Sequence, residues 1–442
     1  MFLSDNSLMT THAASSETLA LLQRARAATP AMATLATNLK NKALCSLADL
    51  LQQETPALLA ANAADLARTQ GQLSPALYQR LHLDAAKLQQ LAQGIRDVAR
   101  LPDPVGQVLQ KTQLDEGLVL EKRSVPLGVV AMVFESRPDV IPQVASLILK
   151  SGNVVVLKGG REALETNHAL MRLLDTLTQQ YPALPPGWAQ LVETREDFNT
   201  LLTFPEYLDL VIPRGSNQLV QAVMAATRVP VLGHADGICH LYVHASANLQ
   251  RSLPVIIDAK AQYPAACNAL ETLLVDVAIA QGLLPLLAAA SHTAGITLRG
   301  CAQTCAVLPQ VAPATEEDWQ TEYGEKILAV RVVSGIDEAL AHIRQYGSRH
   351  TEGILAEDAE AQQQFLNQVD AASVMVNAST RFADGFRYGL GAEVGISTAK
   401  THARGPVGLE GLVIYQYRLL GQHHQVASYV GPEARVFQHK PL

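Results

Sequence analysis

The sequence predicts an α/β protein with parallel sheets and a separate β-ribbon, on three observations. Continuous apolar runs such as GVVAMVF (128–134) and NVVVLK (153–158) alternate with helical stretches, and strands buried on both faces between helices belong to parallel sheets. A second α/β series follows residue 238. Between the first helices and the first run, QLDEGLVLEKRSVP (113–126) alternates about Asp115-Glu116-Gly117, the pattern of a projecting hairpin. At 442 residues and 48% hydrophobic content the chain exceeds one compact core and has ample material for two.

In chain order, residues 17 to about 100 carry Ala, Leu, Gln and Arg at helical spacing, with turn signals at Thr29-Pro30, Gln70-Gly71 and Ser74-Pro75. LPDPVG (101–106) ends this layer. From Leu127 the pattern predicts strand GVVAMVF, a helix over Pro142–Lys150, strand NVVVLK and a helix over Glu162–Gln180, with LDLVIPRGS (208–216) and TRVPVLGH (227–234) as later strands. The second series comprises a strand at Ile238–Val243, a helix opening at Cys267, strand KILAVRVV (326–333), a helix over Ile336–Gln345 and strand ASVMVNAS (372–379). VGLEGLVIYQYRLLG (407–421) alternates like an edge strand, and the polar tail after Gln422 reads as partly mobile. The predicted division is a cofactor-binding domain of residues 1–112 and 127–237, a catalytic domain of 238–409, and a ribbon of 113–126 with the 410–442 stretch. A two-stranded ribbon is marginal alone in water, so it is expected to pair with another subunit in a homo-oligomer, a dimer or tetramer.

Composition excludes several function classes. A net charge of -7, 5% aromatics and no basic run interleaved with aromatics argue against nucleic acid. Five cysteines, an odd count, fit reduced thiols in a cytoplasm. The leader MFLSDNSLMTTHAASSE lacks a positive n-region and an apolar h-region, so it does not read as a signal peptide. The apolar window Leu270–Ala290 is broken by Glu271, Asp276, Gln281 and Pro285, which fits a soluble helix pair or helix plus strand and no membrane span. GHADGICHLYVH (233–244) offers His234, Cys239, His240 and His244, but a period-2 strand sends Cys239 and His240 to opposite faces, and no metal is expected.

The chemistry-bearing stretch is QYPAACNALETLL (262–274). Leu270, Leu273 and Leu274 stand at helical spacing, which puts Cys267 in the first turn of a helix, where unpaired N–H groups and the helix dipole favour a thiolate and an oxyanion. A cysteine among alanines is otherwise a small buried hydrophobe. Lys158 and Arg161, in KGGRE at the carboxyl end of a buried strand, point to a ligand crevice, and Arg161 suits a ribose 2′-phosphate. Gly215 and Ser216 make a second strand-to-helix turn suited to a pyrophosphate or nicotinamide. No G-x-G-x-x-G follows any strand.

Taken together these segments resemble the aldehyde dehydrogenase superfamily from about residue 17 to 420. VPLGVVAMVFESRPDV is similar to that family's strand toward the active-site floor, GNVVVLKGG to its ribose strand, RGS to its Gly-Ser turn under the nicotinamide, and Cys267 to its catalytic thiol. TEYGEKILAV resembles its Glu-x-x-Gly loop, which implies Glu322 on the nicotinamide ribose; YGSRHTEGILAED and VNASTRFADGFRYGLGAEVGIST resemble later catalytic segments. The implied fold is a Rossmann-type cofactor domain, an α/β catalytic domain and an oligomerisation ribbon.

Two departures sharpen the reading. Where oxidising members carry a water-activating Glu, this chain reads GHADG, with His234 near that position; where they carry an oxyanion-binding Asn, it has Arg137. FESRPDV, KGGRE and QYPAACNA resemble one branch, which implies NADPH-dependent reduction of L-glutamate 5-phosphate to L-glutamate 5-semialdehyde in proline biosynthesis, through a thioester on Cys267. Arg137 and Asn268 stand with Cys267 as candidate catalytic residues; Lys158, Arg161, Gly215, Ser216 and Glu322 are the candidate cofactor residues, for NADPH/NADP. Arg381, Arg387 and Lys260 are candidates for the substrate's α-amino and α-carboxylate groups, and association with a glutamate 5-kinase is left open.

Overall fold

The apolar runs become strands. The computed structural model describes residues 6–233 and 236–442, so His234 lies outside the described residues. In chain order the strands are β1 (Val108–Asp115), β2 (Leu118–Pro126), β3 (Val129–Phe134), β4 (Val154–Lys158), β5 (Ala189–Leu191), β6 (Leu210–Arg214), β7 (Cys239–Val243), β8 (Leu270–Asp276) and β9 (Thr297–Gly300). They continue with β10 (Ala312–Pro313), β11 (Ile327–Val333), β12 (Thr351–Leu355), β13 (Ser373–Val376), β14 (Gly395–Ser397), β15 (Gly405–Val407), β16 (Val413–Leu420) and β17 (Lys440–Pro441). Two compact units result: one of Met1–Leu232, Leu390–Val394 and Val407–Leu442, the other of Gly233–Gly389 and Gly395–Pro406.

In the first unit, β5-β4-β3-β6 form a parallel sheet. Every residue of β3 is buried, because helices cover both faces as the unbroken apolar run requires. The helix Val140–Ser151 follows β3 and ends at Gly152 with φ +69, the left-handed stop that lets β4 start at once. The helix Leu164–Gln180 follows β4, and its first turn is held by Asp65, which accepts from Glu165 N, Thr166 N and Thr166 Oγ1. The first helix, Asn6–Ala33, carries Pro30 inside it, so Thr29-Pro30 is no turn. TRVPVLGH contributes a single bridge, Val231 to Val211, where a whole strand was expected.

The ribbon is larger than its sequence pattern. β1 begins five residues before the alternation, and β16-β2-β1-β17 make a four-stranded antiparallel sheet in which β16 pairs with β2 from Val413↔Pro126 to Leu420↔Val119. The tail is tied down, contrary to expectation: Tyr429 Oη donates to Asp115 at 2.9 Å, Arg435 pairs with Asp115 at 2.6 Å, and β17 pairs with β1. One acidic side chain at the hairpin turn thus gathers a segment three hundred residues away.

In the second unit, seven parallel strands run in the order β10-β9-β11-β8-β7-β12-β13. The helix Val277–Ala294, apolar and long enough to cross a membrane, lays Leu283, Leu284 and Leu287 into the core of this sheet. LETLLVD is β8, buried at all seven positions between β7 and β11, so Cys267 heads no helix. Leucines at helical spacing serve equally well on a strand buried on both faces, and the pairing partners decide.

Candidate active site

Each unit presents one candidate half of the chemistry. In the first, a cavity of about 600 Å³ opens at the carboxyl ends of β3, β4 and β6, lined by Glu135, Lys158, Gly160, Arg161, Glu162, Arg195 and Ser216, with Phe198, Leu202, Leu219 and Val223 as apolar wall. Lys158 Nζ donates to Gly159 O at 2.9 Å. Burial holds its ammonium below the ordinary lysine range; Glu162 opposes this, while Arg161 and Arg195 reinforce it. Arg68 donates to the carbonyls of Arg161 and Glu162 at 3.0 and 3.2 Å, fixing the turn that carries Arg161.

Glycines make the cavity's turns close. A Cβ on Gly215 would stand 2.5 Å from Glu135 Oε2, and one on Gly159 would stand 2.2 Å from Asn167 Nδ2. Ser216 caps the helix Asn217–Ala226, its side chain accepting from Leu219 N, and its own N–H donates to Glu135 Oε2 at 2.9 Å. Basic side chains at strand ends, a helix N-terminus and an apolar wall fit a nicotinamide dinucleotide, whose phosphates and flat rings need those three surfaces. Arg137 lies in the turn after β3, half-buried, and makes no ion pair with a described carboxylate. Ser136 before it has φ +46 and donates from N and Oγ to Glu162 Oε1, at 2.6 and 2.9 Å.

In the second unit, Cys267 sits half-buried in the loop between the helix Leu249–Ala261 and β8. Cys267 therefore gains no dipole from a helix of its own. What holds the loop is backbone contact. A Cβ on Gly237 would lie 2.2 Å from Cys267 O and 2.8 Å from its Cα, so only glycine lets the two segments touch. Gly237 N–H donates to Glu322 Oε2 at 2.8 Å, and Cys239 Sγ donates to Cys267 O at 3.3 Å. Asn268, buried, gives its amide N–H to Ala383 O at 2.8 Å and so anchors the loop's far end. Arg381 Nε donates to Gln262 Oε1 at 3.0 Å, and its guanidinium lies 5.8 Å from the Tyr263 ring centroid.

Lys260 faces Glu271 in the interior of the second unit. It is fully buried and pairs with Glu271 at 2.6 Å, so its charge is already neutralised, and it drops out as a seat for the α-groups. Burial raises the Glu271 carboxyl above the usual range while Lys260 opposes it, and burial lowers the Lys260 ammonium. Arg387 Nη1 donates to Arg381 O at 2.9 Å, which leaves the two arginines side by side. Among the described residues no group of three or more His, Cys, Asp or Glu side chains has the arrangement of a metal site. Sequence reasoning missed Arg195, Gly237 and the Lys260–Glu271 pair; Gly237 alone had a local signal, in GHADG.

An oxidoreductase of the aldehyde dehydrogenase type is the class that a parallel-sheet cavity and a loop-borne thiol define. The aldehyde dehydrogenase family profile matches residues 4–318. γ-Glutamyl phosphate reductase of Synechococcus sp. (strain JA-3-3Ab) is 54% identical over 433 residues, covering 97% of this chain and 95% of that one. The enzyme of the same name from Pelotomaculum thermopropionicum is 50% identical over 423 residues, 96% of this chain and 97% of its own. The crystal structure of γ-glutamyl phosphate reductase from Thermotoga maritima superposes with a TM-score of 0.90 at 38% identity, covering 92% of this chain and 99% of that one. An acetylating aldehyde dehydrogenase from Geobacillus thermoglucosidasius, 18% identical with a TM-score of 0.65 over 94% and 99% of the two chains, shares the fold. The chain belongs to the aldehyde dehydrogenase family and, within it, to the γ-glutamyl phosphate reductases.

Proposed function

We propose that the protein reduces L-glutamate 5-phosphate to L-glutamate 5-semialdehyde with release of phosphate, in proline biosynthesis, and that Cys267 carries the acyl group. The observation that carries this reading is a half-buried thiol on a loop whose backbone is held by Gly237, Cys239 and Asn268, in a chain 54% identical to a γ-glutamyl phosphate reductase. The Cys267 thiolate attacks the γ-carbonyl carbon, the C–O bond to phosphate breaks, and a thioester remains. Lys158, Arg161, Gly215 and Ser216 would hold NADPH, with Glu322 on its nicotinamide ribose; when bound, the cofactor supplies the hydride that reduces the thioester. Collapse of the thiohemiacetal returns the thiolate and frees the semialdehyde.

No water attack is required, in keeping with GHADG where oxidising relatives carry a Glu. Acyl phosphates are already activated, so the protein's task is positioning and charge. Arg137 is assigned to the departing phosphate, and Arg381 with Arg387 to the α-carboxylate, because a planar guanidinium matches either anion bidentately. The division of labour proposed is cofactor on the first unit and nucleophile on the second. The edge strand β16 exposes Tyr415, Tyr417 and Leu419, which supports pairing with another subunit in a homo-oligomer; a monomeric mass by light scattering at micromolar concentration counts against it. A cytoplasmic site fits the five free cysteines.

The decisive experiment is NADP reduction with glutamate semialdehyde, with and without phosphate, in the parent and in Cys267→Ser. Phosphate dependence and loss of nearly all turnover in the variant are expected, with a glutamyl adduct on the Cys267 peptide when phosphate is withheld. Phosphate-independent oxidation indicates a hydrolytic aldehyde dehydrogenase, and full activity in Cys267→Ser removes the mechanism.

A further inference from the structure

The cofactor cavity holds one more cation than the reaction uses. Strands β4 and β5 are parallel neighbours in register Val155↔Ala189 to Leu157↔Leu191, so their carboxyl ends are level. Lys158 closes β4 and Arg161 follows it by three residues; Arg195 comes four residues after the end of β5, and all three line the same cavity. Thr194 fixes the start of the short helix Arg195–Leu201 by accepting from Asp197 N, which sets where the Arg195 side chain departs.

The acidic side chains of the cavity are otherwise engaged. Glu162 accepts from Ser136 N and Oγ, and Glu135 accepts from Ser216 N. Among the described residues, no carboxylate forms an ion pair with Lys158, Arg161 or Arg195. At Lys158 burial lowers the ammonium, Glu162 opposes it, and both arginines then lower it further, with Glu135 a smaller opposing charge. Three cations left together at strand ends call for a ligand with concentrated negative charge, and two guanidinium groups suit a phosphate monoester dianion.

We propose that Arg195 acts with Arg161 as a two-arginine clamp on the adenosine 2′-phosphate, making it a specificity-determining residue for NADPH. The assignment rests on the NADPH reading of the cavity. Arg195 is exposed, so its replacement leaves the core untouched. A neutral residue there removes a charge-assisted contact to the 2′-phosphate and nothing from the adenine, ribose or pyrophosphate.

The test is binding of adenosine 2′,5′-bisphosphate and of 5′-AMP to the full-length protein by calorimetry, in the parent, Arg195→Ala, Arg195→Lys and Arg161→Ala. Arg195→Ala is expected to weaken the bisphosphate about ten-fold or more, with 5′-AMP unchanged within about two-fold and Arg195→Lys intermediate. Equal weakening of both nucleotides, or of neither, in a parent that prefers the bisphosphate overturns the Arg195 assignment alone. A parent that binds both nucleotides equally overturns the NADPH reading, and the clamp with it.

Discussion

Gly237→Ala tests whether Cys267, the proposed nucleophile, is placed by the backbone contact beneath it. The added methyl would stand 2.2 Å from Cys267 O and 2.8 Å from Cys267 C and Cα, where ordinary contact begins at 3.4 Å. All three are backbone atoms, so no flexible side chain can yield. The loop Gln262–Ala269 or the 237 strand entry must shift by about 1 Å, the displacement that typically costs roughly a hundred-fold in rate when a reacting atom is misplaced. Overpacking of this kind costs about 1–3 kcal/mol of stability. The same shift strains the Gly237 N–H bond to Glu322 Oε2 at 2.8 Å, which steadies the neighbouring loop. The assays are steady-state turnover, the rate of Cys267 alkylation by iodoacetamide followed by peptide mass spectrometry, and nucleotide binding. Turnover should fall by about two orders of magnitude and the alkylation rate should change. Nucleotide binding, proposed to run through Lys158 and Arg161, should persist. A Gly237→Ala variant with parent-like turnover, alkylation and stability refutes the argument.

Lys260→Met leaves the Glu271 carboxylate fully buried without its partner and should cost about 3–5 kcal/mol in chemical denaturation, whereas Lys260→Met with Glu271→Leu should recover most of that; a single variant within about 1 kcal/mol of the parent contradicts the pairing argument. His342, packed between His240, Trp319 and Tyr346 with neither ring nitrogen hydrogen-bonded, is pushed down to about 2 by burial, with His240 and Arg331 adding to it. Because the unfolded chain takes up that proton and the folded one does not, its stabilising contribution is complete above about pH 6.5 and falls away below it, at up to about 1.4 kcal/mol per pH unit. His342→Leu should flatten the acid limb of stability against pH, and an unchanged slope between pH 6.5 and 5 would sink the assignment.

The sequence by itself determined the strands whose apolar runs are unbroken. GVVAMVF and NVVVLK each became a buried parallel strand because no other element hides both faces of so short a run, and KILAVRVV, interrupted by Arg331, became a parallel strand buried at five of its seven positions. It also determined that Lys158 and Arg161 meet a cavity, since strand ends in parallel sheets open on ligand crevices. LETLL was ambiguous: five residues with leucines at helical spacing satisfy helix and strand alike, and only pairing with β7 and β11 made it β8. The tail's polar composition likewise carries no sign that Asp115, some three hundred residues earlier, collects Tyr429 and Arg435. Gly237 against Cys267 and Lys260 against Glu271 are contacts between separate segments, and Arg195 and Arg161 reach one cavity from separate strands. Local pattern carries the period of an element and the chemistry of its residues, but which side chains share a site depends on strand order and register, and those are settled only when the sheets assemble.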